Sequence, residues 1–174
     1  MADLENLKFP IGKFNAPETI TTAHIKSWIE VIGSFPERLA AAIGGLRPED
    51  LEKTYRPNGW TIRQLVHHCA DSHMNSLIRF KLALTEDTPT IKPYAENLWA
   101  ELTDYDAPVG SSIKILEGLH ERWVKLLENL TEVELEKQFF HPESKELISL
   151  KQNIGIYAWH CNHHLAHILI AEDS

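Results

Sequence analysis

The sequence predicts an all-α protein, specifically an antiparallel four-helix bundle with long connections and one small β-hairpin. Four segments carry apolar residues at intervals of three and four, which is the spacing of a single helix face. Strand-like runs are confined to one short pair, and Pro and Gly are concentrated between the helical segments. Each helix of such a bundle buries one apolar stripe against its neighbours. We therefore expect one domain over residues 1–174.

The first main helix is predicted to begin at Thr21 or Thr22, after an irregular segment over residues 1–20. Its apolar positions recur at amphipathic spacing up to Pro36. Proline has no N–H group and disturbs the helical hydrogen-bond ladder. One kinked helix or two short helices, ending at Gly44, would both satisfy this pattern.

The second and third helices have recognisable start signals. Thr61 with Gln64 three residues later forms a capping-box pattern, and the helix that follows is expected to end near Thr85. A long connection with several prolines comes next, which in a compact domain is more often functional or a crossover than idle. Ser111 or Ser112 is expected to cap the third helix, whose apolar stripe is the clearest in the chain.

A hairpin and a fourth helix complete the predicted bundle. Two short runs, residues 138–141 and 146–149, surround a turn-forming segment and indicate a small β-hairpin. Ser149, with Gln152 three residues later, is expected to cap the fourth helix, which continues to about Ala171.

The acidic composition argues against several classes of partner. The chain has 17 basic and 25 acidic residues, a formal net charge of -8, so attraction to nucleic acid or anionic membranes is not expected. The N-terminus lacks the regions of a secretory signal, and no apolar run is long enough for a membrane span. We expect a cytoplasmic protein in which Cys69 and Cys161 are buried, reduced thiols.

The fourth helix contains a concentration of potential metal ligands. Four of the ten histidines fall within eight consecutive residues, and on a helix they occupy roughly a 100° arc. Imidazole is the commonest metal-ligating side chain, and residues four apart lie on the same face. Two such pairs are present, so metal binding by either is a candidate function: His160 with His164, and His163 with His167.

A catalytic zinc site takes three protein ligands and leaves one position open, so the second helix must supply the third. Its spacing places His67 at the edge between the apolar and polar faces, where a ligand pointing into a bundle should lie. His68 falls on the polar face and remains an alternative, whereas His73 lies among core residues.

One negative indication limits the chemistry, and one competing interpretation remains. Zinc peptidases of the His-Glu-x-x-His type use the Glu as general base, but here Cys161 follows His160, so peptidase activity by that route is not supported. A bundle that binds metal without turnover, or a dimerisation module, is a competing interpretation from another class. An open coordination position would favour an enzyme over both.

Long stretches of the chain resemble one known family, the YfiT group of the DinB-like superfamily. The resemblance implies a four-helix bundle that forms homodimers and acts as a metal-dependent hydrolase. It also implies an alternative, because related members are S-transferases that join low-molecular-weight thiols such as bacillithiol to electrophiles. The segments that carry the resemblance are residues 9–14, 56–68, 71–75, 79–87, 140–143 and 154–167.

The resemblance also implies a ligand set. The triad of the family consists of a histidine seven residues after a helix-opening Trp, here Trp60, and a late His-x-x-x-His pair. On that count the metal ligands are His67, His160 and His164, while His163 and His167 pack or hydrogen-bond beside them.

Three imidazoles suit one divalent ion per chain, with zinc expected and nickel as the alternative. Such an ion would activate a bound water or hold a thiolate, and the ligands alone do not decide between them. We expect a small-molecule substrate. Asp71, one turn after His67, is a candidate for a proton acceptor or for orienting a ligand, and candidates for substrate contact are Asn75, Arg79 and Trp99.

Overall fold

The fold is mainly helical and is seen in a computed structural model that describes residues 4–174. Four long helices form the bundle, and short elements connect them. In chain order the elements are α1 (Leu4–Lys8), α2 (Thr22–Ile43), α3 (Ile62–Thr85), α4 (Glu96–Trp99), α5 (Gly110–Leu127), α6 (Glu132–Leu135), β1 (Gln138–His141), β2 (Glu146–Ser149) and α7 (Leu150–Glu172).

The predicted four-helix bundle is confirmed, with α2, α3, α5 and α7 as its helices. Around the bundle each of α2 and α3 packs against both α5 and α7, so α2 lies diagonally opposite α3, and α5 lies diagonally opposite α7. Contacts between residues show that α2 and α5 are antiparallel, as are α3 and α7. The other two neighbouring pairs, α2 with α7 and α3 with α5, run parallel. The long connections make this arrangement possible.

Helix α2 is continuous through Pro36, so the single helix rather than two short ones is the correct alternative. Thr21 caps it by accepting a hydrogen bond from the backbone N–H of His24. Because Pro36 has no N–H, the carbonyl of Ile32 four residues earlier has no partner from that position. The side chain of His120 on α5 donates to this carbonyl instead, at 2.7 Å.

The start of α3 agrees with the sequence, but the start of α5 differs. Thr61 and Gln64 form the predicted reciprocal capping box. Helix α5 begins at Gly110 and has no side-chain cap, so neither predicted serine has that role. Ser111 donates to the carbonyl of Pro108 in the first turn, and Ser112 is engaged by a histidine of α3. Both hydroxyls are used for contacts that spacing alone does not show.

The hairpin and the cap of α7 are as predicted. Strands β1 and β2 are antiparallel, with Gln138 opposite Ser149 and His141 opposite Glu146. Ser149 then caps α7 by accepting from the backbone N–H of Gln152. The hairpin therefore leads directly into the helix that carries the histidine-rich stretch.

The segment before α2 is not wholly irregular, because it contains the short helix α1, and it covers α7. The indole N–H of Trp159 donates to the carbonyl of Gly12, and His167 is hydrogen-bonded to the carbonyl of Lys8. Gly155 allows a close approach here, since a Cβ atom at that position would meet the rings of Phe14 and Trp28 at 2.9 Å. None of the helices in residues 4–174 has the length and apolar character needed to cross a bilayer.

The core confirms the expectation for the two cysteines. Cys69 and Cys161 are both buried and carry free thiols in the described chain. Burial raises the pKa of each thiol, so neither is a thiolate at neutral pH. Their environment is that of apolar core residues rather than of reactive nucleophiles.

Leu116→Ala is expected to lower the free energy of unfolding by about 2–5 kcal/mol, because it leaves a cavity in a packed core. The Leu116 side chain is 0% exposed. The matched control is Ile115→Ala on the adjacent position of α5, where 40% exposure predicts a change within about 0.5 kcal/mol. Urea unfolding of both variants measures the difference. Equal losses would contradict the observed orientation of α5.

Candidate metal centre

Three histidines from two antiparallel helices converge on one point. His68 is on α3, and His160 and His164 are one turn apart on α7. The Nε2 atom of His160 lies 3.3 Å from that of His68 and 3.1 Å from that of His164. The potential ligand atoms of all three lie within 4.8 Å of one another. These residues are called the histidine triad below.

Burial keeps the triad uncharged. His68 and His164 are buried, and His160 is partly exposed. Burial is the main cause that lowers the pKa of His68 to about 3, and it lowers the pKa values of His160 and His164 well below the usual value. Neighbouring histidines add to this effect in each case. The rings are therefore neutral at pH 7, which is the form that binds metal.

The spacing of the three rings fits a tetrahedral metal site. Zinc–nitrogen bonds of about 2.0–2.1 Å at tetrahedral angles place neighbouring nitrogen atoms roughly 3.3–3.4 Å apart. The two Nε2 distances from His160, 3.3 and 3.1 Å, are close to this value. Three such ligands on rigid helices would leave a fourth position for a water or a substrate.

The structure does not bring His67, the ligand expected from the sequence, into the triad, because both of its ring nitrogens have other partners. Its Nε2 donates to the carbonyl of Ala107 at 3.0 Å, so its Nδ1 accepts from the hydroxyl of Ser112 at 2.7 Å. No lone pair remains for a metal. His67 faces the start of α5, whereas His68, one residue and about 100° further around α3, faces α7.

The ring of Trp60 contacts the histidine one residue beyond the position that the family pattern predicts. It packs against His68 with ring centroids 4.6 Å apart, although the family pattern was counted to the histidine seven residues later. Both His67 and His68 are buried, at 5% and 2% exposure, so the apolar-to-polar edge on the helix wheel did not distinguish them. His73 is buried between helices, as the sequence predicted.

A second group of histidines shares His164 with the triad. His163, His164 and His167 also have potential ligand atoms within 4.8 Å of one another. The ring of His163 stacks on Trp159 at 4.3 Å, and that of His167 stacks on Tyr55 at 3.8 Å. These contacts fit the packing roles expected for His163 and His167. The triad is the better candidate because its ligands come from two facing helices.

Two hydroxyl groups near the triad were not predicted from the sequence. The Ser72 hydroxyl lies 3.4 Å from Nε2 of His160 and 3.3 Å from the hydroxyl of Tyr157. Tyr157 donates to the carbonyl of Ser72 at 3.1 Å, which holds α3 and α7 together. Helical spacing could have indicated both hydroxyls, since Ser72 is four residues after His68 and Tyr157 is three residues before His160.

Asp71 has a partner outside the triad. Its carboxylate accepts a 2.7 Å hydrogen bond from the hydroxyl of Tyr105, which belongs to the connection before α5. Burial is the main cause that raises the pKa of Asp71, while the bond from Tyr105 opposes it. Asn75 donates to the backbone carbonyl of Asp71 at 2.9 Å. Asp71 is thus hydrogen-bonded to both Tyr105 and Asn75, and no hydrogen bond joins Asp71 to the triad within residues 4–174.

The other candidates for substrate contact are Trp99 and Arg79. The ring of Trp99 packs against Tyr94 at 4.4 Å. The Tyr94 hydroxyl is buried close to the Ser72 side chain but forms no hydrogen bond of good geometry within the described chain. Burial raises its pKa, so the phenol stays protonated. Arg79 is half-buried, and its Nε atom also has no hydrogen-bond partner in residues 4–174.

One surface cavity of the described chain is lined by residues outside the histidine triad. It has a volume of about 680 Å³ and lies where the first turns of α2 meet the last turn of α5, beside residues such as Ile25, Ile29 and Leu127. No histidine of the triad lines it. The candidate metal centre is therefore distinguished by its donor atoms rather than by the size of a cavity.

Comparison with known proteins identifies the family. The family model described as the DinB superfamily matches residues 34–168, a span that includes the whole triad. The chain belongs to the DinB superfamily. Curated relatives in this superfamily carry the name "Putative metal-dependent hydrolase". One from Oceanobacillus iheyensis is 51% identical over 163 residues, 94% of each chain. One from Bacillus mycoides is 53% identical over 165 residues, 95% of each chain.

A solved structure shows the same fold. YfiT from Bacillus subtilis, described as a probable metal-dependent hydrolase with an unusual four-helix bundle topology, superposes with a TM-score of 0.92. The two chains are 46% identical, and the match covers 94% of each. The arrangement of the four bundle helices is therefore shared by a close relative.

Proposed function

We propose that this DinB-superfamily protein is a hydrolase that depends on one divalent metal ion held by His68, His160 and His164. The observation that carries the proposal is the convergence of three neutral imidazoles, with Nε2 atoms 3.1 and 3.3 Å from that of His160. The names of the relatives support the same class of enzyme. When bound, such an ion lowers the pKa of a coordinated water to about 7, or holds a thiol as its thiolate.

The side chains around the triad would act on whatever occupies the fourth position. The Ser72 hydroxyl, 3.4 Å from Nε2 of His160, is close enough to hydrogen-bond a group there. The protonated phenol of Tyr94 has no other partner of good geometry in the described chain, so it can donate to an oxygen of the substrate. We assign Ser72 to orienting the nucleophile and Tyr94 to polarising the substrate.

The remaining candidates form an outer set in the proposal. Trp99 would form a wall behind Tyr94, and Arg79, whose Nε is unpartnered in residues 4–174, would attract a polar or anionic part of the substrate. Asp71, whose pKa is raised by burial, is retained as a proton acceptor held by Tyr105, with Asn75 beside it.

The proposal also covers the identity of the metal, the domain and the oligomeric state. Zinc is the proposed metal because imidazole ligands at tetrahedral spacing suit it, and nickel is the alternative. We also propose that residues 1–174 form one domain and that two copies associate as a homodimer. Mass measurement in solution tests the last expectation.

The decisive experiment compares metal-stripped protein with protein given one equivalent of zinc or nickel on a panel of small esters and amides. We expect hydrolysis only when metal is present. His164→Ala should lose both hydrolysis and stoichiometric metal binding. Circular dichroism of the variant checks that it remains helical. A metal-loaded protein that hydrolyses no member of the panel above the background rate of the free ion would contradict the proposal.

The same samples distinguish hydrolysis from thiol transfer. Consumption of a low-molecular-weight thiol by a haloarene is measured with and without the ion. Metal-dependent conjugation without metal-dependent hydrolysis would replace the hydrolase with an S-transferase at the same site. Stoichiometric metal binding with neither activity would favour a bundle that binds metal without turnover.

A further inference from the structure

A chain of buried hydrogen bonds leads away from the triad to helix α2. Nδ1 of His160 lies 3.1 Å from Nε2 of His73, and Nδ1 of His73 lies 2.7 Å from Nε2 of His120. Nδ1 of His120 lies 2.7 Å from the backbone carbonyl of Ile32. His73 and His120 are 0% and 2% exposed, so no bulk water competes for these bonds. Neither residue has a role in the function proposed above.

The carbonyl at the end of this chain determines where every proton lies. A carbonyl only accepts, so His120 carries its proton on Nδ1, and its Nε2 must accept from Nδ1–H of His73. Nε2 of His73 then accepts from Nδ1–H of His160. A neutral imidazole has one N–H, so Nε2 of His160 has a free lone pair that faces the triad.

His73 and His120 are neutral, because both rings are buried and no carboxylate in the described chain is hydrogen-bonded to either to stabilise a charged imidazolium. The carbonyl itself is available because Pro36 supplies no N–H to Ile32. The chain ends on this carbonyl and so has no onward path for a proton, which suits a fixed orientation rather than proton transfer.

From this geometry we infer that His73 and His120 are positioning residues, which hold His160 in the one tautomer that presents Nε2 to the metal. The inference rests on the proposed metal centre and adds its outer support. His68 and His164 differ from His160, because their buried Nδ1 atoms have no hydrogen-bond partner in residues 4–174. Those two rings are free to change tautomer, so His160 is the ligand oriented before metal binds.

His120→Phe tests the inference by removing the acceptor for Nδ1–H of His73. His73 can then move its proton to Nε2 and donate to His160, whose own proton moves to the nitrogen that should bind metal. We expect zinc affinity to fall by about 10–100-fold, the usual effect of losing an outer partner of a metal-ligating histidine. Competition titration with a zinc chelator measures this change.

Two matched variants separate positioning from packing. In His120→Gln the amide N–H can donate to Ile32 and the amide oxygen can accept from His73, so zinc affinity should stay within a few-fold of wild type. Phe35→Leu removes the ring that packs against His73 and His120, with centroids 5.2 and 5.8 Å away, but keeps the hydrogen bonds. It should also retain affinity.

The tautomer is measurable without any variant. Nitrogen-15 NMR of the metal-free wild-type protein should show the proton of His160, His73 and His120 on Nδ1. A proton on Nε2 of His160 would overturn the inference, as would wild-type zinc affinity in folded His120→Phe. Neither zinc affinity nor the NMR measurement depends on turnover. A protein that binds zinc but hydrolyses nothing would therefore contradict the proposed function, while the role of His73 and His120 would still be tested.

Discussion

His68→Ala is expected to abolish stoichiometric metal binding, whereas His67→Ala on the neighbouring position is expected to retain it. His68 supplies one of three converging Nε2 atoms, while both nitrogens of His67 are engaged by Ala107 and Ser112. Loss of a direct ligand should weaken binding by more than the about 10–100-fold that an outer partner costs. Metal analysis of the purified variants and a chelator titration measure the effect.

The pair of variants controls for folding as well as for chemistry. His67→Ala leaves the Ser112 hydroxyl without its partner, so it should cost about 1–3 kcal/mol of stability while metal content is unchanged. His160→Ala with His164→Ala should behave like His68→Ala and remain helical. Loss of metal in His67→Ala together with full metal content in His68→Ala would restore His67 as the third ligand.

The metal-free protein is expected to lose stability steeply as the pH falls from 6.5 to 5. Burial lowers the pKa values of four histidines below 6.5, to about 3 for His68 and about 4 for His120, His163 and His167. Above pH 6.5 these rings are neutral in both states. Below it the unfolded chain takes up protons that the folded protein excludes, so unfolding becomes more favourable.

Each buried histidine contributes separately to the loss of unfolding free energy at low pH. At pH 5 the protonation of His120 in the unfolded state alone lowers the free energy of unfolding by about 2 kcal/mol. Urea unfolding of chelator-treated protein at several pH values measures the slope. His120→Gln should show a slope smaller by nearly one proton, and bound zinc should stabilise the protein most above pH 6.5. A flat profile between pH 6.5 and 5 would contradict the burial of neutral histidines.

Local signals in the sequence were sufficient for most of the fold. Capping pairs such as Thr61 with Gln64 act within one turn, so they predict a helix start without knowledge of its neighbours. The predicted cap at Ser111 was wrong because serine is a common capping residue, but this helix start has no side-chain cap. The short helix α1 was missed because its few residues carry no amphipathic repeat.

The sequence by itself determined the four amphipathic helices and the hairpin, because each depends on spacing within one element. Spacing left two histidine pairs open on the fourth helix, and the family resemblance selected His160 and His164. Only the tertiary structure decided that His68 rather than His67 joins that pair. The two residues differ by about 100° on one helix, and both faces are buried, one against α5 and the other against α7. The bond from His120 to Ile32 likewise required the packing of α5 on α2, since no local pattern links a proline in one helix to a histidine in another.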